Sequence, residues 1–259
     1  MNTTIIDIHS HLPAHPEQIS RMLFSARKNM LKYVFVSTLS LGTEHCVEFP
    51  AKGEVAAANK HTFKYCEKYP DILKGYVYLN PCLNWKDELM KWVKHPAFTG
   101  IKLWISLKDD TGSPDICIPV LQAASELQVP VLIHSFYRSS ENKRGELDPS
   151  ELVSLARSSP GTDIIMAHLG GNWEKGCQAV KSAKNISVDI SGFPAYRGSV
   201  EYAIKICGSS RVLFGADVPC RTFQSQIAKV YMSETTENIR AHIMSLNALR
   251  LYKTVFERI

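Results

Sequence analysis

Residues 4–11 read TIIDIHSH, and this stretch introduces the pattern on which the fold prediction rests. A short, almost continuously apolar run leads into strongly polar side chains, here His9 and His11. Seven more apolar runs follow along the 259-residue chain. We predict eight strands from them, at residues 4–8, 33–39, 73–79, 100–105, 129–133, 163–167, 186–190 and 211–215. Because most of these runs do not alternate apolar with polar residues, they are typical of parallel strands that helices cover on both faces.

Longer amphipathic stretches separate and follow the strands. We predict helices at residues 17–30, 53–68, 85–94, 115–127, 149–157, 174–183, 199–207, 222–233 and 237–252. An eightfold alternation of strand and helix within this length indicates an α/β fold, the (β/α)8 TIM barrel. We expect a single domain over residues 1–259, with additional C-terminal helices. An open doubly wound sheet is the alternative, but it normally has a glycine-rich phosphate turn after the first strand, and this chain has none.

The composition narrows the classes of partner. The net charge is +5 and the pI about 8.7, but no run of five Lys or Arg occurs, so no nucleic-acid partner is expected. A small-molecule substrate is expected, and the mild positive charge is compatible with an anionic one. The seven cysteines are widely spaced without a CxxC motif, which favours reduced thiols and a cytoplasmic location. Neither a signal peptide nor a stretch of about 20 apolar residues is evident, so no membrane contact is expected. A homo-oligomer is possible.

Polar residues follow the apolar runs at four of the strand ends. His9 and His11 lie two residues apart on an extended segment, so their side chains point the same way. His134 follows the fifth strand, His168 the sixth and Asp217 the eighth. Because the carboxyl ends of TIM-barrel strands form one face, these five side chains are expected to meet there. A histidine at one strand end is usually an ordinary polar residue, but the combination predicts a divalent-metal site with an open position. An ion bound there lowers the pKa of a coordinated water to roughly 7, and Asp217 can accept its proton.

Five segments carry a resemblance to a known family: IDIHSH, GIKLW, VLIHS, IIMAHLGG and VLFGADVP. They resemble the metal-binding signature of the amidohydrolase superfamily, and most of all its amidohydrolase-related branch of metal-dependent decarboxylases and lactone hydrolases. The C-terminal ENIRAHIMSLNALRLYK is similar to that family's closing helix, so the resemblance runs from residue 4 to about residue 253. It implies metal ligation by His9, His11, His134 and Asp217. It also implies a catalytic His168, which either binds a second metal or polarises the substrate and the attacking water.

Lys102, in GIKLW, decides how many metals are expected. Dinuclear relatives carry a carboxylated lysine on the fourth strand that bridges two metals. The alternative is a buried lysine paired with a carboxylate or a substrate anion, since an unpaired buried ammonium is costly. We favour one metal per chain, because Lys102 is predicted to lie in the middle of its strand. Zinc is the expected ion, although imidazole and carboxylate ligands also suit manganese, iron and nickel.

Substrate contacts are predicted from the loops that follow the strands. Arg138 is the first candidate, because it lies four residues beyond His134 and arginine can clamp a carboxylate or a phosphate. Trp104 and Tyr137 are further candidates. No role is assigned to the remaining histidines, which are His15, His45, His61, His95 and His242.

The main prediction for function is hydrolysis of an amide, ester or lactone by an activated water. Non-oxidative decarboxylation of a small carboxylic acid is the alternative, which we rank second because such enzymes are usually longer, with extra loops over the site. Small metal-dependent deoxyribonucleases rank lower, since they carry glutamate on the fourth strand where this chain has Lys102. A non-catalytic ligand-binding barrel is the alternative from another class, and the intact set of ligands argues against it.

Overall fold

The computed structural model describes residues 4–42 and 47–257, which leaves His45 and Cys46 outside the described residues. Eight strands lie in the order β1 to β8, and each pairs in parallel with the next. This confirms the predicted (β/α)8 barrel. The strands are β1 (Ile5–His11), β2 (Leu31–Ser37), β3 (Leu73–Leu79), β4 (Phe98–Leu103), β5 (Val131–Ile133), β6 (Ile164–Met166), β7 (Ile186–Asp189) and β8 (Val212–Leu213).

Helices alternate with the strands and surround the barrel. They are α1 (Pro16–Lys28), α2 (Lys52–Lys68), α3 (Lys86–Trp92), α4 (Ile118–Leu127), α5 (Pro149–Ser158), α6 (Trp173–Val180), α7 (Ser199–Cys207) and α8 (Phe223–Tyr231), followed by α9 (Glu237–Ala241), α10 (Asn247–Leu251) and α11 (Lys253–Phe256). Within the described ranges, no helix combines the length and apolarity needed to cross a lipid bilayer.

Two strand ends differ from the prediction in a way that matters for the site. β1 continues to His11, because Ser10 and His11 still pair with β2. β4 ends at Leu103 rather than at residue 105, so Lys102 lies one residue from the strand end. The predicted mid-strand position of Lys102 is therefore wrong, and with it the reason for favouring one metal.

The barrel closes between β1 and the chain that follows β8. The amide of Ile8 donates to the carbonyl of Phe214 at 3.1 Å, and the amide of Asp217 donates to the carbonyl of His9 at 2.6 Å. Although β8 has only two residues, residues 214–217 thus remain attached to β1. This contact carries Asp217 to the same rim as His9.

The C-terminal segment completes this seam. The predicted helix at residues 237–252 is interrupted by a π-helical turn over His242–Leu246. The carbonyl of Ile243 in that turn accepts a hydrogen bond from the amide of Phe214 at 3.0 Å. The Asn247 side chain donates to the carbonyls of Ser209 (2.7 Å) and Val212 (2.8 Å). The turn therefore supplies hydrogen bonds to a strand that is too short to form a long ladder with its neighbours.

A buried guanidinium ties α6 and α7 to the barrel beside β8. Arg211 donates to five main-chain carbonyls, which are those of Val180, Lys181, Ala183, Ile186 and Cys207. Carbonyls at the carboxyl ends of helices lack partners within the helix, so a buried cation is well placed to satisfy them.

We expect Arg211→Lys to lower the free energy of unfolding by about 2–4 kcal/mol, because a lysine ammonium cannot reach five carbonyls and leaves some of them buried without a donor. Urea unfolding followed by circular dichroism measures the change. Arg144→Lys is the matched control, since the Arg144 side chain is 77% exposed. Equal stability of the two variants would contradict this role for Arg211.

Candidate metal centre

The five predicted ligands meet at the carboxyl ends of the strands, and all five are buried. The rings of His9 and His11 lie 5.1 Å apart, and those of His9 and His168 lie 4.9 Å apart. The ring of His134 is 5.5 Å from that of His168. The five strand-end residues therefore lie together, as expected from the sequence.

Within this group, three residues form the tightest cluster. His9, His168 and Asp217 each present a ligand atom, and these atoms all lie within 4.8 Å of one another. His11 is adjacent, with Nε2 3.5 Å from Asp217 Oδ1. His134 stands slightly apart, because its Nε2 is hydrogen-bonded to a carboxylate outside the predicted set, that of Glu146, at 2.7 Å.

Local backbone conformation aims two of these side chains inward. His168 and Asp217 follow their strands with φ of +58° and +56°. Such left-handed conformations are uncommon in residues other than glycine and cost about 1–3 kcal/mol, so the surrounding structure must hold them in place. Gly192 shows how tight that packing is, because a Cβ atom there would lie 2.4 Å from His168 Nδ1.

Side chains on neighbouring elements fix the imidazoles from behind. His9 Nδ1 lies 2.8 Å from Asp189 Oδ2, and both residues are fully buried. Ser191 Oγ lies 3.1 Å from His9 Nδ1 and 2.9 Å from His168 Nδ1, so one hydroxyl bridges two rings. His11 Nδ1 lies 3.0 Å from the hydroxyl oxygen of Ser37. The Nε2 atoms of these imidazoles are thus left to face the cluster.

These supporting residues were not predicted from the sequence. Asp189 is the last residue of β7, so its position at a strand end is the same signal that marked Asp217. Ser191 and Ser37 are ordinary polar residues, and nothing in their spacing marks them. Glu146 lies in the loop between β5 and α5, 12 positions after His134, and no motif announces it.

Burial sets the charge states in the cluster. It lowers the pKa of His9 and of His168 well below the usual value, and the nearby Lys102 ammonium acts in the same direction. Both imidazoles are therefore neutral, as metal ligands must be. Burial also raises the pKa of Asp217 to about 7, although the Lys102 ammonium opposes this rise.

Lys102 lies inside the cluster. Its Nζ is 3.0 Å from His9 Nε2, and its side chain is fully buried. Burial lowers the pKa of Lys102 to about 8, against the attraction of the Asp189 and Asp217 carboxylates. An ammonium therefore predominates at neutral pH and donates to the neutral His9 ring.

The predicted substrate-binding residues have different surroundings. The Trp104 ring lies 4.3 Å from the His134 ring, and its Nε1 is buried without a hydrogen-bond partner in the part of the chain that the structure describes. The Tyr137 hydroxyl lies 2.5 Å from Ser150 Oγ at the loop surface. Arg138 donates through Nε and Nη2 to Glu146, at 2.6 and 2.7 Å. Its guanidinium thus already binds a carboxylate of the protein.

The residues of this cluster fit a divalent cation. Neutral imidazoles with one nitrogen held from behind and a carboxylate at the rim form a donor set suited to zinc, manganese, iron or nickel. His134 Nδ1 supports the fit, because it is buried and has no hydrogen-bond partner among residues 4–42 and 47–257. These donors do not distinguish zinc from manganese.

We expect Asp189→Asn to weaken metal binding about 10- to 100-fold, since asparagine cannot hold His9 with a charged acceptor. Competition with a chromophoric chelator, with Zn²⁺ and Mn²⁺ titrated separately, measures the affinity. Asp71→Asn, at a side chain that is 67% exposed, is the matched control. Wild-type affinity in a correctly folded Asp189→Asn protein would contradict the assigned role.

Several solved structures of similar architecture are decarboxylases. Superposition on 2,6-dihydroxybenzoate decarboxylase from Rhizobium gives a TM-score of 0.73 at 16% identity, covering 97% of this chain and 99% of that one. Dihydroxybenzoic acid decarboxylase from Polaromonas sp. JS666, with bound manganese and the inhibitor 2-nitroresorcinol, gives 0.75 at 17% identity, with 97% of each chain covered. For 4-oxalomesaconate hydratase from Rhodopseudomonas palustris the TM-score is 0.72 at 16% identity, with 98% of this chain and 97% of that one covered.

The matches span 97–99% of the two decarboxylase chains, so the likeness extends over the whole barrel. At these identities the likeness shows a shared fold.

A family assignment comes from the sequence itself. No curated protein matches the chain. The Amidohydrolase family model, in contrast, matches residues 6–254, which include all the strand ends described above. The chain belongs to the amidohydrolase family, within the amidohydrolase-related branch of the superfamily.

Proposed function

We propose that this protein is a metal-dependent decarboxylase that releases CO₂ from a small, planar carboxylic acid without an oxidant. His9, His11, His134 and Asp217 would hold the cation, with His168 beside it. A divalent cation bound there supplies Lewis-acid polarisation of the substrate oxygens. The protein's own side chains bind the acid, orient it and deliver a proton.

The observation that carries the proposal is a pair of donors that lack an anion. The buried Nε1 of Trp104 has no hydrogen-bond partner within the described residues, and Lys102 Nζ lies 5.9 Å from the centre of the same indole ring. Lys102 donates to His9 Nε2. When that nitrogen binds a cation, the ammonium needs a new acceptor. A substrate carboxylate can accept from both groups, whereas the carbonyl of an amide or ester offers no charge to match the ammonium.

Asp217 is placed to supply the proton that decarboxylation requires. When the carbon–carbon bond breaks, CO₂ leaves and the electron pair stays on the substrate carbon, which then takes up one proton. Without a cation, burial raises the pKa of Asp217 to about 7. In the loaded site, this carboxyl group would give its proton to the substrate carbon and then hold the cation as a carboxylate. Solvent then restores the proton to Asp217, and the reaction balances as carboxylate plus proton giving CO₂ plus the decarboxylated product.

Flat side chains beside the cluster support a planar substrate. The Phe136 ring stacks almost parallel to the His134 ring, at 5.7 Å and an angle of 10°. The ring of Phe193 lies 5.7 Å from that of Phe136, and the ring of Trp104 lies 4.3 Å from that of His134. Aromatic faces favour offset stacking with a conjugated ring or an enoic acid.

Several structural neighbours also support decarboxylation, since they carry that activity in their names. Hydrolysis of an amide, ester or lactone is the second candidate. It is favoured by Asp217, whose carboxylate form can take a proton from water in the same cluster. Incubation with hydroxylated aromatic acids and with esters or lactones of such acids separates the two, because only decarboxylation releases CO₂.

We expect Asp217→Asn to lower kcat for CO₂ release at least 10²–10⁴-fold, because asparagine cannot deliver a proton. The loss is measured on a panel of dihydroxybenzoates with the metal-loaded protein, and circular dichroism checks the fold. Asp110→Asn is the control, at a side chain that is 96% exposed. Unchanged turnover in folded, metal-loaded Asp217→Asn protein would sink the proposed mechanism.

Trp104→Phe tests the substrate anchor. This variant keeps the aromatic face and removes only the Nε1 donor, so we expect KM for the acid to rise roughly tenfold or more while kcat changes less. Trp173→Phe is the matched control, because Trp173 packs against Tyr202 on the helical layer. A Trp104→Phe enzyme with wild-type KM would show that the indole N–H does not bind the carboxylate.

A further inference from the structure

A fully buried carboxylate lies in the loop between β5 and α5. Glu146 has no exposed surface, although loops normally carry their charged side chains into solvent. Its oxygens accept hydrogen bonds from His134 Nε2 (2.7 Å), from Arg138 Nε (2.6 Å) and Nη2 (2.7 Å), and from the amide of Lys143 (3.0 Å). Four donors therefore compensate the loss of hydration of this carboxylate.

The loop is built around this group. The amide of Phe136 donates to the carbonyl of Leu147 at 2.9 Å, which brings the two ends of the loop together. Asn142 Nδ2 donates to the carbonyl of Phe136 at 2.7 Å, and the amide of Arg138 donates to Asn142 Oδ1 at 3.3 Å. These contacts hold Arg138 and Glu146 on the same side of the loop, beside His134.

The contact with Glu146 fixes which nitrogen of His134 can bind a cation. A carboxylate that is saturated with donors can only accept, so His134 Nε2 must carry the ring proton. The lone pair of the neutral ring then lies on Nδ1. That atom is buried, has no hydrogen-bond partner in the described part of the chain, and belongs to a ring 5.5 Å from that of His168.

The guanidinium of Arg138 contacts the same buried carboxylate. Both donors on one edge of its guanidinium bind Glu146, and the guanidinium lies 4.9 Å from the centre of the Phe136 ring. The salt bridge neutralises the buried carboxylate and keeps it from turning away from His134.

We infer that Glu146 and Arg138 are positioning residues, which hold the His134 imidazole in the orientation and tautomer that leave Nδ1 free to ligate the cation. The inference rests on the metal site of the proposed function. It extends that function, because it makes the loop between β5 and α5 part of the metal centre.

Glu146→Gln tests the inference, because glutamine keeps the shape of the side chain but no longer forces a proton onto His134 Nε2. We expect the affinity of the Glu146→Gln protein for Zn²⁺ and for Mn²⁺, measured by chelator competition, to fall about 10- to 100-fold. Glu141→Gln, at an exposed position in the same loop, is the matched control and keeps wild-type affinity.

A second readout needs no metal. In metal-free wild-type protein, a ¹H–¹⁵N spectrum of the imidazoles is expected to show His134 protonated on Nε2, whereas Glu146→Gln shows a mixture of tautomers. Arg138→Lys keeps the charge but not the two-point contact, so its affinity should fall less than that of Glu146→Gln. This milder variant carries the test if Glu146→Gln does not fold.

The outcomes separate this inference from the proposed function. If the wild type binds metal and folded Glu146→Gln binds it with the same affinity, the positioning role is overturned but the metal site is not. If only Arg138→Lys folds, the same comparison is made with that variant. Failure of the wild-type protein to bind either ion overturns the metal site and, with it, this inference.

Discussion

The buried carboxyl group of Asp7 holds together the two chain segments that carry His9 and Asp217. It accepts hydrogen bonds from the amide of His9 (2.9 Å), the hydroxyl of Ser10 (2.5 Å) and the amide of Ala216 (2.8 Å). Burial raises its pKa to about 8, which shows how strongly this interior disfavours an unmatched charge. Because losing any of these donors would leave a buried polar group unsatisfied, β1 and residues 214–217 keep one register. The relative positions of His9 and Asp217 follow from that register.

The pairing of buried polar groups also supports the imidazoles of the site. Each ring has one nitrogen in contact with a side chain behind it. The pairs are His9 with Asp189, His11 with Ser37, His168 with Ser191 and His134 with Glu146. These partners come from β2, from β7 and the residues just beyond it, and from the loop after β5. Supporting side chains from several elements therefore fix the ligand geometry, and no single helix or strand determines it.

The difference between residues at strand ends and residues in loops explains what can be predicted from the sequence. The candidate ligands can be recognised because a barrel places its strand ends on one face, and the first polar residue after an apolar run marks each end. His134 and Asp217 were found in this way, and Asp189 was open to the same argument. Glu146 was not, since its contacts depend on how the loop between β5 and α5 folds back, and loop geometry leaves no periodic pattern in the sequence. For the same reason, the sequence does not reveal that the guanidinium of Arg138 contacts Glu146.

Lys102 shows how a small error in a strand boundary alters chemistry. With β4 predicted to reach residue 105, Lys102 was placed in the middle of the strand, which favoured a single metal. With β4 ending at Leu103, its Nζ lies 3.0 Å from His9 Nε2. Two states then satisfy its burial, and they exclude each other. A carboxylated Lys102 is an anion that bridges two cations and cannot donate to a substrate carboxylate. An ammonium can donate to that carboxylate, but it repels a second cation a few ångströms away. The charge state of Lys102 therefore decides both the number of metals and the way the substrate is held. The indole N–H beside Lys102, which has no hydrogen-bond partner within the described residues, favours the ammonium, since both donors can then bind the same anion.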